Sequence, residues 1–107
     1  MESIIKIHKD RPSKADGVSE QKLFEAIALL QNADEAQRFF EDLCTPAELQ
    51  AMADRWEIIP LLTKEVPYQQ IYEQTGVSLT TVGRVARTLR FGKGGYDMIY
   101  TRIGAKE

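Results

Sequence analysis

One stretch of the chain decides its fold: residues 68–85 read YQQIYEQTGVSLTTVGRV. Gly76 tolerates a positive φ, so it can form a tight turn between two short helices. Ser78 can accept hydrogen bonds from the free N–H groups at the start of the second helix. Pro67, just before the stretch, suits the opening of the first helix. The pattern predicts a helix-turn-helix over residues 67–90, with its second helix running from Leu79 to about Arg90.

The apolar residues of this stretch are spaced so that they meet between the two helices. Val77 would fill the angle at the turn, above Ile71, Val82 and Val85. The opposite face of the second helix is left with mostly small or hydroxyl-bearing residues, which let a helix enter the DNA major groove closely. The predicted DNA-binding residues are Gln69, Gln70, Ser78, Leu79, Thr80, Thr81, Gly83, Arg84, Arg87 and Lys93. The same motif also occurs in modules that bind only protein, and that alternative stays open.

The charge of the chain is divided unequally along its length. The net charge is -2. Residues 78–107 carry six basic and two acidic residues, a local charge of +4, and residues 1–77 carry the remaining -6. Because phosphate binding is local, an acidic chain can still attract double-stranded DNA through its C-terminal third.

Helical spacing of apolar residues recurs over most of the chain, and no convincing alternation indicates a strand. The sequence predicts an all-α fold of about six helices. Residues 1–17 show no sustained period and are predicted to be a mobile arm. Residues 18–107 would form the DNA-binding domain.

Several helix boundaries can be predicted from local signals. Pro60 should kink or end its helix near Leu62, and Gly104 should end the last helix. Gly92, Gly94 and Gly95 would make a flexible joint before that helix. The predicted caps are Ser19, Asn32 with Glu35 as its reciprocal partner, and Thr45 followed by Pro46 and Glu48.

The apolar content is large for the length. Short helices in a chain of 107 residues cannot easily bury every aromatic side chain. The side chains in question are Phe24, Phe39, Phe40, Trp56 and Phe91. Homodimerisation through the first three helices would cover them.

Other functional classes find little support. No long apolar run suggests a membrane segment, and the cytoplasm is the expected compartment. Cys44 is the single cysteine and His8 the single histidine, so no disulfide, metal cluster or catalytic pair is predicted. We expect no enzyme activity and no cofactor.

The sequence resembles the Trp-repressor-like family, specifically its YerC/YecD branch, over about residues 20 to 104. The resemblance rests on LCTPAEL (residues 43–49), Arg55, the helix-turn-helix and RFGKGGY (residues 90–96). It implies an interlaced, all-helical homodimer that places two recognition helices in successive major grooves. A regulator of this kind, acting as a repressor, would favour a roughly palindromic operator.

In the Trp repressor, tryptophan binds between the central core and the recognition helix. The matching ligand positions would fall on Thr45, Arg55 and Arg84. Val85 stands where that repressor has a small residue and would intrude on the indole, so the sequence argues against tryptophan co-repression. Thr45 and Arg55 also have structural explanations, as a helix cap and as an ion pair with Glu48 or Glu57. Control by another small molecule stays open.

Overall fold

The computed structural model describes residues 17–106, and within this range the regular secondary structure is entirely helical. The chain divides into two compact units, one ending at Leu43 and the other beginning at Cys44. The predicted arm lies outside the described residues except for Gly17. The helices are α1 (Val18–Ile27), α2 (Ala33–Leu43), α3 (Pro46–Glu57), α4 (Ile59–Thr63), α5 (Tyr68–Thr75), α6 (Leu79–Phe91) and α7 (Gly95–Lys106).

The all-α prediction is confirmed. If α3 and α4 are counted as one interrupted helix, the described range has the six helices that the sequence predicts.

Helix α1 begins one residue before the predicted cap. Its N-cap is Gly17, with φ 69°, and no side chain caps the helix. The prediction that Ser19 caps α1 is therefore wrong. A glycine that turns the chain through a left-handed conformation defines the start instead, and its missing side chain leaves no capping signal in the sequence.

Helix α2 starts as predicted, with one difference in its reciprocal bond. The Asn32 side chain accepts a 2.9 Å hydrogen bond from the Glu35 N–H. The Glu35 carboxylate accepts from the N–H of Gln31, at 3.0 Å, rather than from Asn32 itself. Both bonds satisfy donors that a helix start would otherwise leave free.

Helix α3 opens with a complete capping box. The Thr45 hydroxyl accepts from the Glu48 N–H at 3.1 Å, and the Glu48 carboxylate accepts from the Thr45 N–H at 2.8 Å. Pro46 occupies the first turn, where a missing N–H costs nothing. The predicted cap at Thr45 is confirmed, and such a cap contributes about 1 kcal/mol.

The break around Pro60 falls earlier than predicted. Helix α3 ends at Glu57, Ile58 has φ -90° and ψ -3°, and α4 runs from Ile59 to Thr63. A proline clashes with the carbonyl four residues before it, here that of Trp56, and has no N–H to donate to it. The chain therefore yields at Ile58, before the proline, and not near Leu62.

A Schellman motif ends α4 and leads the chain to the helix-turn-helix. Glu65 has φ 62°, and its N–H donates to the Leu62 carbonyl at 3.0 Å. The Val66 N–H donates to the Leu61 carbonyl, also at 3.0 Å. Leu61 and Val66, the two positions between which an apolar contact usually accompanies this motif, both pack against the core.

The core of the second unit lies where α4, α5 and α6 meet. Its six buried residues are Ile58, Ile59, Ile71, Val77, Val82 and Val85. Around them pack half-buried side chains from α3 and α7, including the stacked pair Trp56 and Tyr96, whose ring centroids lie 6.3 Å apart. The helix-turn-helix formed by α5 and α6 therefore contributes directly to this core.

Helix α7 differs from its prediction at both ends. Gly95 is already its first residue, so the flexible joint shortens to the residues around Gly94, which has φ 83°. Gly104 does not end the helix, which continues to Lys106. A glycine inside a helix costs only about 1 kcal/mol relative to alanine, a penalty that neighbouring turns can outweigh.

Candidate nucleic-acid interface

The turn between α5 and α6 has the predicted geometry. Gly76 ends α5 with φ 77° and ψ -1°, and Val77 is buried beneath the turn. The Thr75 hydroxyl donates to the Ile71 carbonyl at 2.7 Å and accepts from the Val77 N–H at 3.0 Å. Thr75 thus ties the end of α5 to the turn, a role that the sequence analysis missed.

Replacing Gly76 with alanine should destabilise the fold by about 1–2 kcal/mol, because an L-residue is strained in the left-handed conformation. A Cβ at this position would meet nothing within 4 Å, so the loss would be purely conformational. Chemical denaturation measures it. Gly104→Ala is the matched control: its Cβ is equally unobstructed, but its helical backbone should make that variant slightly more stable. Equal effects of the two substitutions would contradict the prediction.

The start of α6 is fixed by a pair of hydroxyl side chains. Ser78 Oγ accepts from the Thr81 N–H at 3.2 Å and donates to Thr81 Oγ1 at 3.1 Å. The predicted cap at Ser78 is confirmed, and the only hydrogen of its hydroxyl is already donated. Thr81 keeps its own hydroxyl hydrogen, which can point to an acceptor outside the protein.

Helix α6 has a buried inner face and an exposed outer face. Val82 and Val85 are buried on the inner face, as predicted. The outer-face residues are exposed or half-exposed: Leu79, Thr80, Thr81, Gly83, Arg84 and Arg87. The helix contains three arginines and no carboxylate, so its outer face offers hydroxyls and guanidinium groups together.

The remaining predicted contacts lie beside this face. Gln69 and Gln70 are exposed in the first turn of α5, and Lys93 is exposed between α6 and α7. The Gln69 amide donates to the Glu73 carboxylate at 3.4 Å. Because a carboxylate repels phosphate, Gln69 is the least favourably placed of the predicted contacts.

The structure adds three residues that the sequence had not placed at this interface, one of which, Phe91, was expected to be covered by a second copy of the chain. Tyr68, Arg90 and Phe91 line the same side of α6 as Gly83 and Arg87. Arg90 continues the three-residue spacing of Arg84 and Arg87, a signal that was available in the sequence. The position of Tyr68 depends on how α5 lies against α6, so spacing along the chain could not reveal it.

Thr45 and Val85, at or near the positions that match the tryptophan site, have structural roles. Thr45 caps α3, as predicted. Among the side chains that the structure describes, the single ion pair joins Arg38 to Asp34, so the expected pair between Arg55 and Glu48 or Glu57 is wrong. Val85 is buried in the core. Residues 17–106 contain no cluster of acidic, histidine and cysteine side chains that could hold a metal ion.

A family model described as Trp repressor protein matches residues 19–103. The chain belongs to the Trp repressor family. The match covers nearly the same range as the predicted resemblance, and the family is a regulatory, non-enzymatic one built on a helix-turn-helix.

Relatives of known sequence or structure support the family assignment. The uncharacterised protein YerC of Bacillus subtilis is 37% identical over 94 residues, covering 88% of this chain and 90% of YerC. A TrpR-like protein from Eubacterium eligens is 39% identical with a TM-score of 0.78, covering 87% of this chain and 96% of that one. A candidate Trp repressor from Staphylococcus aureus is 34% identical with a TM-score of 0.77, covering 92% and 93%. The predicted YerC branch is thereby confirmed.

No described helix is both long enough and apolar enough to cross a membrane.

Proposed function

We propose that the chain is a sequence-specific transcriptional regulator that binds double-stranded DNA as a homodimer, with α6 in the major groove. The observation that carries this proposal is the outer face of α6, which is exposed, free of carboxylates and held rigid by a buried inner face. A rigid helix with short side chains can approach base edges closely, and its arginines supply charge for the phosphates. The proposed place of action is the cytoplasm.

Roles can be assigned along the outer face. Leu79 is suited to contact a thymine methyl group, and the hydroxyls of Thr80 and Thr81 can donate to base edges or phosphates. Arg84 and Arg87 are suited to a guanine or to backbone phosphates. Gln70 and Lys93 would contact the backbone at the two ends of the motif. Ser78 acts through Thr81, since its hydroxyl is engaged there.

Exposed apolar side chains support the homodimer. Helices α1, α2 and α3 contain no fully buried residue. Phe24 is 58% exposed, Leu29 76% and Leu43 48%. Apolar surface of this kind usually marks an interface, and a second copy of the chain would both cover it and supply the second recognition helix. A two-fold dimer would select a roughly palindromic operator and repress by occupying it.

We expect analytical ultracentrifugation to give a dimer at micromolar concentration. Replacing Phe24 and Leu29 with serine should weaken that dimer, because the apolar area buried at the interface would fall. Tyr72→Ser, which removes an exposed ring from the helix-turn-helix, should leave the sedimentation unchanged. A monomer in the unsubstituted protein would refute the interlaced arrangement.

Tryptophan is not the effector in this proposal. Val85 lies in the core at a position where the tryptophan-binding relative has a small residue. Thr45 is engaged as the cap of α3. Titration calorimetry with L-tryptophan should give no saturable heat. One-to-one binding would overturn this part of the proposal, and Thr45, Arg55 and Arg84 would then be the first residues to replace.

Selection of bound duplexes from a random DNA library tests the function directly. Enrichment of a palindromic sequence, bound with an affinity that falls steeply with salt, is the expected result. If no duplex is bound even at low salt, the helix-turn-helix serves a protein partner instead, which is the alternative that the motif itself leaves open.

A further inference from the structure

A shallow groove runs along the outer face of α6 and continues beyond the predicted base-reading residues. Two hollows make it up, and both are lined by Tyr68, Gly83 and Arg87. We call the whole feature the outer groove. Its N-terminal half adds Leu79, Thr80 and Arg84, and its C-terminal half adds Ala86, Arg90 and Phe91.

The shape of the outer groove follows from two small residues. A Cβ placed on Gly83 would meet nothing within 4 Å, so the missing side chain leaves the middle of the groove open. Ala86 contributes only a methyl group to the C-terminal half. Tyr68 on α5 and Arg87 on α6 line the groove along both halves.

The chemistry of the C-terminal half differs from that of the N-terminal half. No threonine lines the C-terminal half. The guanidinium groups of Arg87 and Arg90 lie there beside the rings of Tyr68 and Phe91. The Arg90 guanidinium carbon lies 5.9 Å from the centroid of the Phe91 ring. Phe91 is 75% exposed and Tyr68 is 48% exposed. Within the described residues no carboxylate pairs with Arg87 or Arg90, so both can take an external anion.

An arginine alone can bind either a guanine or a phosphate, but the two exposed rings beside these guanidinium groups favour the backbone of DNA. A phosphate accepts bidentate hydrogen bonds from arginine, and the apolar face of a deoxyribose can pack on an aromatic ring. We propose that Tyr68, Arg87, Arg90 and Phe91 hold a sugar-phosphate segment that flanks the base pairs under the N-terminal half of α6. This inference rests on the proposed DNA binding and deepens it: the C-terminal half positions the protein on DNA without reading sequence.

The first test compares two labelled duplexes by fluorescence anisotropy over a range of salt concentrations. One duplex is that selected from a random library by the unsubstituted protein, and the other is a scrambled duplex of the same composition. Arg90→Ala should lower the affinity for both duplexes by the same factor, about tenfold. It should also lower the slope of log affinity against log salt concentration by about one for each protomer bound. Phe91→Ala should weaken both by a similar common factor. Arg102→Ala, at an exposed arginine of α7, should change the affinity for either duplex only slightly, through the altered net charge.

The second test locates the phosphate. Single methylphosphonate substitutions, which remove the charge of one phosphate, are scanned along the selected duplex. At one position in each half-site, outside the selected base pairs, the loss of affinity should be large for the unsubstituted protein and absent for Arg90→Ala. A changed preference between the duplexes, or no effect of Arg90→Ala and Phe91→Ala in a protein that binds DNA, would overturn the inference alone. Failure of the unsubstituted protein to bind any duplex would reject the proposed function and this inference with it.

Discussion

Replacing Arg84 and Arg87 together with alanine is expected to lower duplex affinity by about 100-fold or more while leaving helicity intact. Each arginine contact with a guanine or a phosphate contributes on the order of 1–3 kcal/mol, and a homodimer would present each contact twice. Both side chains are exposed on α6, so their removal leaves no buried gap. Anisotropy titration of the selected duplex measures the affinity, and circular dichroism measures the helicity.

The matched control removes the same number of positive charges elsewhere. Arg38 is paired with Asp34 on the exposed side of α2, and Arg102 is exposed on α7. The double variant of these two arginines should bind DNA almost as the unsubstituted protein does, with a small change from the altered net charge. An equal loss in both double variants would mean that total charge, not the face of α6, governs the affinity.

The second large effect concerns stability. Ile71→Ala should destabilise the protein by about 2–5 kcal/mol, the usual cost of emptying a buried isoleucine site. Ile71 is fully buried where α5 meets α6. Since a domain is stable by only about 5–15 kcal/mol, this one change would remove a large share of the total. Urea denaturation followed by circular dichroism measures it.

The neighbouring residue provides the control for this prediction. Tyr72 is larger than Ile71 but is 45% exposed, so Tyr72→Ala should cost about 1 kcal/mol or less. If the two variants unfold at the same urea concentration, the core of the helix-turn-helix has been assigned to the wrong face of α5.

Features that depend on a few adjacent residues could be predicted from the sequence. Three helix boundaries depend on interactions within three or four residues: the capping box of Thr45 and Glu48, the cap at Ser78 and the turn at Gly76. The structure has all three where the sequence predicts them. The inner face of α6 could be predicted equally well, because helical spacing alone brings Val82 and Val85 to one side.

Features that depend on competing or distant interactions were missed. Gly17 starts α1 through its backbone conformation, which no side chain announces. Helix α7 continues through Gly104 because the penalty of one glycine is small compared with the stabilisation contributed by the neighbouring helical turns. The outer groove exists only once α5 lies beside α6, so Tyr68 could not be linked to Arg90 from their separation in sequence.

Selection for thermostability should act on Gly83. It lies in the interior of α6, where alanine would stabilise the helix by about 1 kcal/mol and where nothing obstructs the added carbon. A screen for thermostable variants should therefore recover larger residues at this position. The same variants would narrow the surface offered to DNA, so a gain in melting temperature should come with altered operator choice.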